Sequence, residues 1–314
     1  MHPAPSVIAF TALSGAGYGL LFLLGLGKLL QLPWAADRIA FGIGLALALA
    51  FITVGLLAST RHLRRPERAW RAVTQWRSSW LSREGVLALL TFPPAGLLLL
   101  LAPLLNEQGW LPQLLALLSL AGAAATVFAT AMIYASLKPV RQWHQPKVPP
   151  LYLLLALGTG APLLSCLLAF HADGPVFAYL AAVLLLVAWI VKRLYWNDID
   201  REVPISDLGT ATGLGRKGKV SLLEPPHTDE SYLTQEMGYR VARKHAGKLR
   251  LIAQAAALVG VAALVLSGLA GSGWGPFFLS LAGALLALGA VAVERWLFFA
   301  EATHTVSLYY GKAA

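Results

Sequence analysis

Eight long apolar runs dominate this sequence, and each could cross a lipid bilayer as an α-helix, which takes about 20 mostly apolar residues. The runs cover residues 8–30, 39–58, 86–105, 113–136, 151–170, 176–195, 249–270 and 277–299. The sequence therefore predicts an all-α integral membrane protein, a bundle of eight transmembrane helices. We expect a single membrane domain over residues 1–314, with an extended polar loop at 196–250.

Composition and charge support this prediction. Charged residues make up 13% of the chain, whereas soluble domains contain about 25%. The formal net charge is +10, but the basic stretches adjoin the apolar runs. Contact with membrane lipid explains this excess better than nucleic-acid binding. We therefore expect anionic lipid, and no nucleic acid, among the partners.

The basic residues also predict the orientation of the bundle. Eight spans put both termini on one side, and all but two of the 25 Lys and Arg residues fall on that side, counting those that lie near the corresponding ends of the spans, such as Arg295. The exceptions, Lys28 and Arg38, flank the first opposite connection. Since Lys and Arg are retained on the cytoplasmic side, we expect cytoplasmic N and C termini.

The connection at 59–85 suggests a chemical role. It contains seven arginines and three tryptophans, together with His62, which closes the second span, and Glu84, which opens the third. Its folding could bring both side chains to the same rim of the membrane. Imidazole titrates near neutral pH, and imidazole and carboxylate groups can exchange protons with a quinone as its electrons move. His62 could instead be an interfacial histidine, and Glu84 a charge at a helix N-terminus.

Aromatic residues accompany these groups. Trp70, Trp76 and Trp80 could flank a planar ring, or they could belong to the aromatic belt found at membrane interfaces. A second intramembrane candidate is Glu294 with Arg295, since charges inside a span are costly. Adjacent residues point apart on a helix, so we do not expect these two to pair with each other.

Metal and haem chemistry is not expected within this chain. The seven histidines fall at span ends or in connections, so no pair lies in mid-membrane for a bis-histidine haem. Cys166 is the only cysteine, and one thiol cannot hold an iron–sulfur cluster. We therefore predict no haem and no metal site.

Several motifs resemble one known family. They are His62-Leu63 followed by Pro66, then Leu81-Ser82-x-Glu84, and the longer stretches HPAPSVIAFTALSGAGYG, RPERAWRAVTQWRSSWLSREG, MIYASLKPVRQWH and LEPPHTDESYLTQEMGYRVARKHAGKLR. Together they are similar to the membrane-anchor subunit of anaerobic dimethyl sulfoxide reductase, over nearly the whole chain. The family often has Gly after His-Leu, whereas Arg64 stands here.

The resemblance implies a haem-free, eight-span protein of the bacterial cytoplasmic (inner) membrane. Its implied partners are a ferredoxin-like iron–sulfur subunit and a molybdopterin catalytic subunit, which carry the clusters and the molybdenum. The anchor would exchange electrons with ubiquinone or menaquinone. By the family's motifs His62 and Glu84 belong to the quinone site, and we expect Arg65, Arg77, Trp76 and Trp80 beside them. Arg65, Arg68 and Arg77 could alternatively dock the partner or hold lipid phosphates.

The identity of the catalytic partner is a separate question. Cytoplasmic termini favour the sister group that serves a sulfite-oxidising molybdenum enzyme, because that enzyme faces the cytoplasm. The alternative within the family is an anchor that oxidises quinol for reduction of dimethyl sulfoxide or a related oxide. Two further functions stay open at this point: a small-anion transporter, and a docking anchor without a quinone site.

Overall fold

The computed structural model describes residues 4–61, 65–101, 109–201, 206–224 and 241–310, which contain helices and no strand. The helices are α1 (Pro5–Leu29), α2 (Arg38–Thr60), α3 (Trp80–Leu101), α4 (Trp110–Ala135), α5 (Val148–Leu167), α6 (Gly174–Arg201), the short α7 (Leu208–Thr212), α8 (Val241–Leu269) and α9 (Trp274–Ala300). All except α7 are long and apolar enough to cross a membrane. The predicted eight-span, all-α fold is confirmed, while the side of the termini stays a prediction.

Three helices begin or end well outside the predicted spans. Helix α3 starts at Trp80, although its apolar run starts at residue 86. Helix α6 continues to Arg201, and α8 begins at Val241. Both α6 and α8 thus extend into the polar stretch at 196–250. Hydropathy detects the part of a helix that suits lipid, and the polar end turns escape it.

Helices α1 and α5 form the centre of the bundle. At their crossing, a Cβ atom on Gly19 would lie 1.9 Å from the carbonyl oxygen of Ala156, and one on Gly160 would lie 2.3 Å from the backbone nitrogen of Leu20. The two backbones therefore touch, a packing that small residues permit in membrane helices. Helix α1 also packs against α2, α4 and α9, so it is surrounded by other helices.

The start of α1 and the end of α9 lie on one face of the bundle, called here the terminal face. The C-terminal segment is held there against the connection between α4 and α5. Thr305 donates its backbone N–H to Pro139 (3.0 Å), and the Gln142 amide donates to the Thr303 hydroxyl (2.8 Å). The connection between α2 and α3 reaches the same face as a 3-10 segment, Pro66–Gln75.

Candidate functional site

A cavity of about 370 Å³ opens at the terminal face between α1, α2, the 3-10 segment, α3 and α4. Its described lining is Val7, Phe10, Leu56, Ser59, Thr60, Arg65, Arg68, Ala69, Leu81, Glu84, Gly85, Ile133 and Tyr134. The volume falls in the range of small-molecule sites, which are mostly apolar with a few placed polar groups. This cavity has the same character, so it suits an apolar ligand that carries a few polar atoms.

Glu84 is the only carboxylate in the described lining of this cavity. It lies just over one turn into α3, and only 5% of it is exposed. The Thr130 hydroxyl of α4 donates a hydrogen bond to Glu84 Oε1. Because a buried carboxylate is costly without partners, this bond holds Glu84 at the wall of the cavity.

His62 lies outside the described residues. The chain on both sides of residues 62–64 reaches the cavity, since Thr60 and Arg65 are both in its lining. That placement is compatible with a shared site for His62 and Glu84, which stays a prediction.

The other predicted ligand contacts divide into two groups. Arg65 and Arg68 line the cavity with Glu84. Trp76, Arg77 and Trp80 are outside its described lining. Trp76 is 53% exposed, with the Arg77 guanidinium 5.5 Å from its ring centre. The structure therefore places Arg65 in the wall of the same cavity as Glu84 and leaves Trp76 and Arg77 along the surface of the connection.

Trp80 has a packing role at the start of α3. Its ring lies edge-on to Phe128 of α4, with the ring centres 6.1 Å apart. The Arg83 guanidinium lies 4.3 Å from the Trp80 ring centre and donates to the backbone carbonyls of Trp76 (3.0 Å) and Arg77 (2.8 Å). Arg83 thus ties the basic connection to the first turn of α3.

Sequence reasoning missed two residues of this site, Thr130 and Tyr134. Tyr134 lines the cavity and packs with Trp143, Phe298 and other aromatic rings behind it. Both residues lie on α4, far from the 59–85 connection in sequence. Apolar spans contain Thr and Tyr at many positions, so no spacing marks these two.

A buried charged cluster lies between α6 and α9. Lys192, Glu294 and Arg295 are each at most 2% exposed. Lys192 forms an ion pair with Glu294 Oε1, and Arg295 Nε lies 2.5 Å from Glu294 Oε2. The expectation that Glu294 and Arg295 do not pair is wrong, because their side chains are long enough to meet. Lys192 could have been found as a charge within an apolar run.

A small inner cavity lies between α1, α4, α5 and α9. Its volume is about 20 Å³, enough for about one water molecule. Its lining includes the polar residues Thr11, Ser14, Tyr18, Thr130, Tyr152, Thr159 and Arg295. Thr130 therefore connects the inner cavity with Glu84 in the larger one.

A third cavity, of about 390 Å³, opens between α6, α8 and the chain after α9. Arg250 crosses it and donates to Asp200 (2.6 Å) and Glu301 (2.9 Å). Burial raises the pKa of the Glu301 carboxyl, and the neighbouring Arg250 partly opposes this shift. These ion pairs join the ends of three helices, which is a structural role.

The described residues contain no group of three His, Cys, Asp or Glu side chains that could hold a metal ion. The single thiol, Cys166, is partly buried in α5.

Two comparisons with known proteins bear on this site. Residues 1–301 match the family described as DMSO reductase anchor subunit (DmsC). The chain is also 34% identical to a sulfite dehydrogenase subunit of Allochromatium vinosum, over 339 aligned positions that cover 100% of both chains. The resemblance inferred from the sequence motifs is confirmed.

Proposed function

Since the chain belongs to the DMSO reductase anchor subunit (DmsC) family and is thereby a membrane anchor subunit of a molybdoenzyme, we propose that it is also the quinone-reactive subunit. In this role it passes electrons between an iron–sulfur partner and the membrane quinone pool. The observation that carries the proposal is the apolar cavity at the terminal face, with buried Glu84 in its wall.

The residues of the cavity fit a quinone. The apolar lining from α1, α2 and α4 accommodates a ring and the start of an isoprenoid tail, and Glu84 offers a hydrogen-bonding group at one wall. A quinone takes up two electrons and two protons when it becomes quinol. Glu84 and His62 would hold and transfer these protons, while Thr130 orients the Glu84 carboxyl. Arg65 and Arg68 would hold polar oxygens at the cavity mouth.

The proposed reaction is the oxidation of sulfite to sulfate. The full-length similarity to a sulfite dehydrogenase subunit supports this substrate. Sulfite and water yield sulfate, two protons and two electrons, and the electrons reduce the quinone. We place the molybdopterin site on the catalytic partner and the iron–sulfur clusters on a ferredoxin-like partner. The single cysteine of this chain cannot hold an iron–sulfur cluster.

We place both partners at the terminal face and that face in the cytoplasm. The basic connection between α2 and α3 lies there, next to the cavity, and positive charge is retained on the cytoplasmic side. The chain then acts as a single membrane domain of the bacterial inner membrane. The cavity then opens directly at the face where a cytoplasmic partner docks and delivers its electrons.

The test uses the complex that co-purifies with this chain, in inside-out membrane vesicles, with sulfite and a ubiquinone analogue. The substitution Glu84→Gln or His62→Ala is expected to lower the rate of quinone reduction by about 100-fold or more, which is the usual contribution of a proton-transfer group. Sulfite oxidation with an artificial dye should be unchanged. The control is Glu67→Gln, the same chemical change at an exposed residue outside the described cavity lining.

Two outcomes would contradict the proposal. If the Glu84→Gln variant reduced quinone at the normal rate, the chain would be a docking anchor without a quinone site. If sulfite were inert while the complex oxidised quinol with dimethyl sulfoxide, the quinone site would stand and the substrate would be wrong.

A further inference from the structure

The inner cavity has more hydrogen-bonding groups than its protein contacts satisfy. Tyr18 Oη, Tyr152 Oη and both terminal nitrogens of Arg295 are buried and make no well-aligned hydrogen bond within the described part of the chain. Tyr18 has Thr126 as a neighbouring hydrogen-bonding group, and Arg295 has Tyr152. All three unsatisfied residues line the same cavity. Buried polar groups of this kind are normally satisfied by ordered water.

Arg295 lines this cavity and is held in place by its neighbours, while its two terminal nitrogens make no well-aligned hydrogen bond to the described residues. Its Nε atom is committed to Glu294 (2.5 Å), and its guanidinium lies 3.9 Å from the Tyr152 ring centre. Lys192 pairs with the other oxygen of Glu294. The cluster carries one formal positive charge in excess, and Arg295 presents that charge to the cavity.

Thr130 is the residue that links the inner cavity to Glu84. Its hydroxyl donates to Glu84 Oε1 or to the Thr126 carbonyl (3.0 Å), and its side chain also forms part of the inner cavity wall. Arg295, Tyr152 and Thr130 all line this one cavity, so a water bound there has hydrogen-bonding residues around it. Each bond in a chain of hydrogen bonds polarises the next.

We propose that the inner cavity binds ordered water, and that this water makes Arg295 and Thr130 positioning residues for Glu84. The chain Arg295–water–Thr130–Glu84 orients the carboxyl and stabilises its negative charge after it has given up a proton. Arg295 stays protonated throughout. The inference rests on the proposed function, because it assumes that Glu84 exchanges protons with quinone.

The first experiment removes the Thr130 hydroxyl while keeping its shape. In the purified complex, with electrons supplied to the iron–sulfur subunit from a reduced viologen, Thr130→Val is expected to lower quinone reduction at saturating quinone by about tenfold. The KM for quinone should stay within about twofold, since the lost interaction acts on proton transfer and not on binding. Thr130→Ser should restore the rate, because it restores the hydroxyl.

Thr91→Val is the matched control. Thr91 is a buried threonine at the same contact between α3 and α4; its hydroxyl donates to the Leu87 carbonyl (2.7 Å) and lies 3.5 Å from the Thr126 hydroxyl. It lies outside the described lining of both cavities. The control variant should react within about twofold of the unmodified complex, so packing effects of a Thr-to-Val change are accounted for.

Infrared difference spectra between the oxidised and reduced complex test the water directly. We expect a water O–H band that shifts in water labelled with oxygen-18, and a carboxyl band that Glu84→Gln removes. Arg295→Lys keeps the charge and the pair with Glu294 but loses the two free nitrogens. It should abolish the water band and displace the Glu84 band, although residue 295 does not touch Glu84.

The outcomes separate this inference from the proposed function. If Glu84→Gln stops quinone reduction while Thr130→Val and Arg295→Lys behave like Thr91→Val, the water link is refuted and the quinone site stands. The link also fails if Thr130→Ser is as slow as Thr130→Val. If Glu84→Gln reduces quinone normally, the proposed function fails, and this inference fails with it.

Discussion

Glu294 holds two cations inside the bundle. Lys192 and Arg295 each pair with one of its oxygens, and all three side chains are shielded from solvent. Breaking a buried ion pair by removing one partner typically costs about 3–5 kcal/mol, because a charge is left without compensation. The three residues are therefore unequal: without Glu294 two cations stay uncompensated, whereas without Lys192 a neutral Glu–Arg pair remains.

Glu294→Gln is accordingly expected to destabilise the protein by about 3–5 kcal/mol or more, and Lys192→Met by clearly less. Thermal unfolding in detergent, followed by the fluorescence of the ten tryptophans, gives the order of the midpoints. Where Glu294→Gln does not accumulate, the yield of monodisperse protein gives the same order. Equal midpoints for the two variants would show that net charge does not govern this cluster.

Single residues differ in how far the sequence could predict their place. Glu84 and Arg65 were identified because charged residues at the edge of an apolar run are conspicuous, and the structure places both in one cavity. Thr130 and Tyr134 were missed, since their importance depends on which helices meet. Lys192 lies within the predicted span at 176–195 and was also missed, since its pairing with Glu294 depends on how α6 and α9 lie relative to each other.

At the scale of the helices, the crossing of α1 and α5 leaves no space for a side chain between the two backbones. The backbones of Gly19 and Ala156 are in contact, as are those of Gly160 and Leu20. Any side chain at either glycine must push α1 and α5 apart, and each of these helices has several other neighbours. Separation at this crossing would disturb the whole interior.

Gly19→Ala should therefore destabilise the bundle by about 1–3 kcal/mol or more, the range for overpacked interiors. Gly42→Ala in α2 is the control, since a Cβ atom there would meet nothing within 4 Å, and alanine favours a helix by up to about 1 kcal/mol. The thermal midpoints of the two variants in detergent are compared. If the thermal midpoint of Gly19→Ala were no lower than that of Gly42→Ala, the crossing of α1 and α5 would tolerate a side chain at residue 19.

The number of long helices was predictable, whereas one end each of α3, α6 and α8 was not. Lipid demands a run of apolar side chains, so each of the eight runs contains a helix. The end turns depend on local contacts that hydropathy does not report. Arg83 holds the first turn of α3 against the preceding connection, and Arg250 pairs with Asp200 near the end of α6. The first contact ties a helix to the preceding connection and the second joins two helices, and a hydropathy scan detects neither.

For the molecule as a whole, the orientation in the membrane determines which partners it can meet. Labelling of single cysteines tests it. In a Cys166→Ser background, Ser78→Cys places a thiol at an exposed site in the α2–α3 connection, and Ser272→Cys places one at an exposed site between α8 and α9, on the opposite face.

A membrane-impermeant maleimide should label Ser78→Cys in inside-out vesicles and Ser272→Cys in intact spheroplasts. This labelling pattern is expected because the basic connection between α2 and α3 is predicted to lie in the cytoplasm. Detergent-solubilised samples, in which both sites should react, serve as the reference for full labelling. The reverse pattern would put the terminal face outside the cytoplasm and would favour the oxide-reductase alternative.

Helix α1 is made first, yet it is among the most enclosed helices of the finished protein. Its neighbours include α5 and α9, and α9 leaves the ribosome last. At usual rates of synthesis the intervening chain takes on the order of tens of seconds to appear. During that interval the parts of α1 that contact α5 and α9 must be sheltered by lipid or by the insertion machinery. The inner cavity, whose wall includes Arg295 of α9, is therefore completed only at the end of translation, whereas every described lining residue of the larger cavity is already present once α4 has been made.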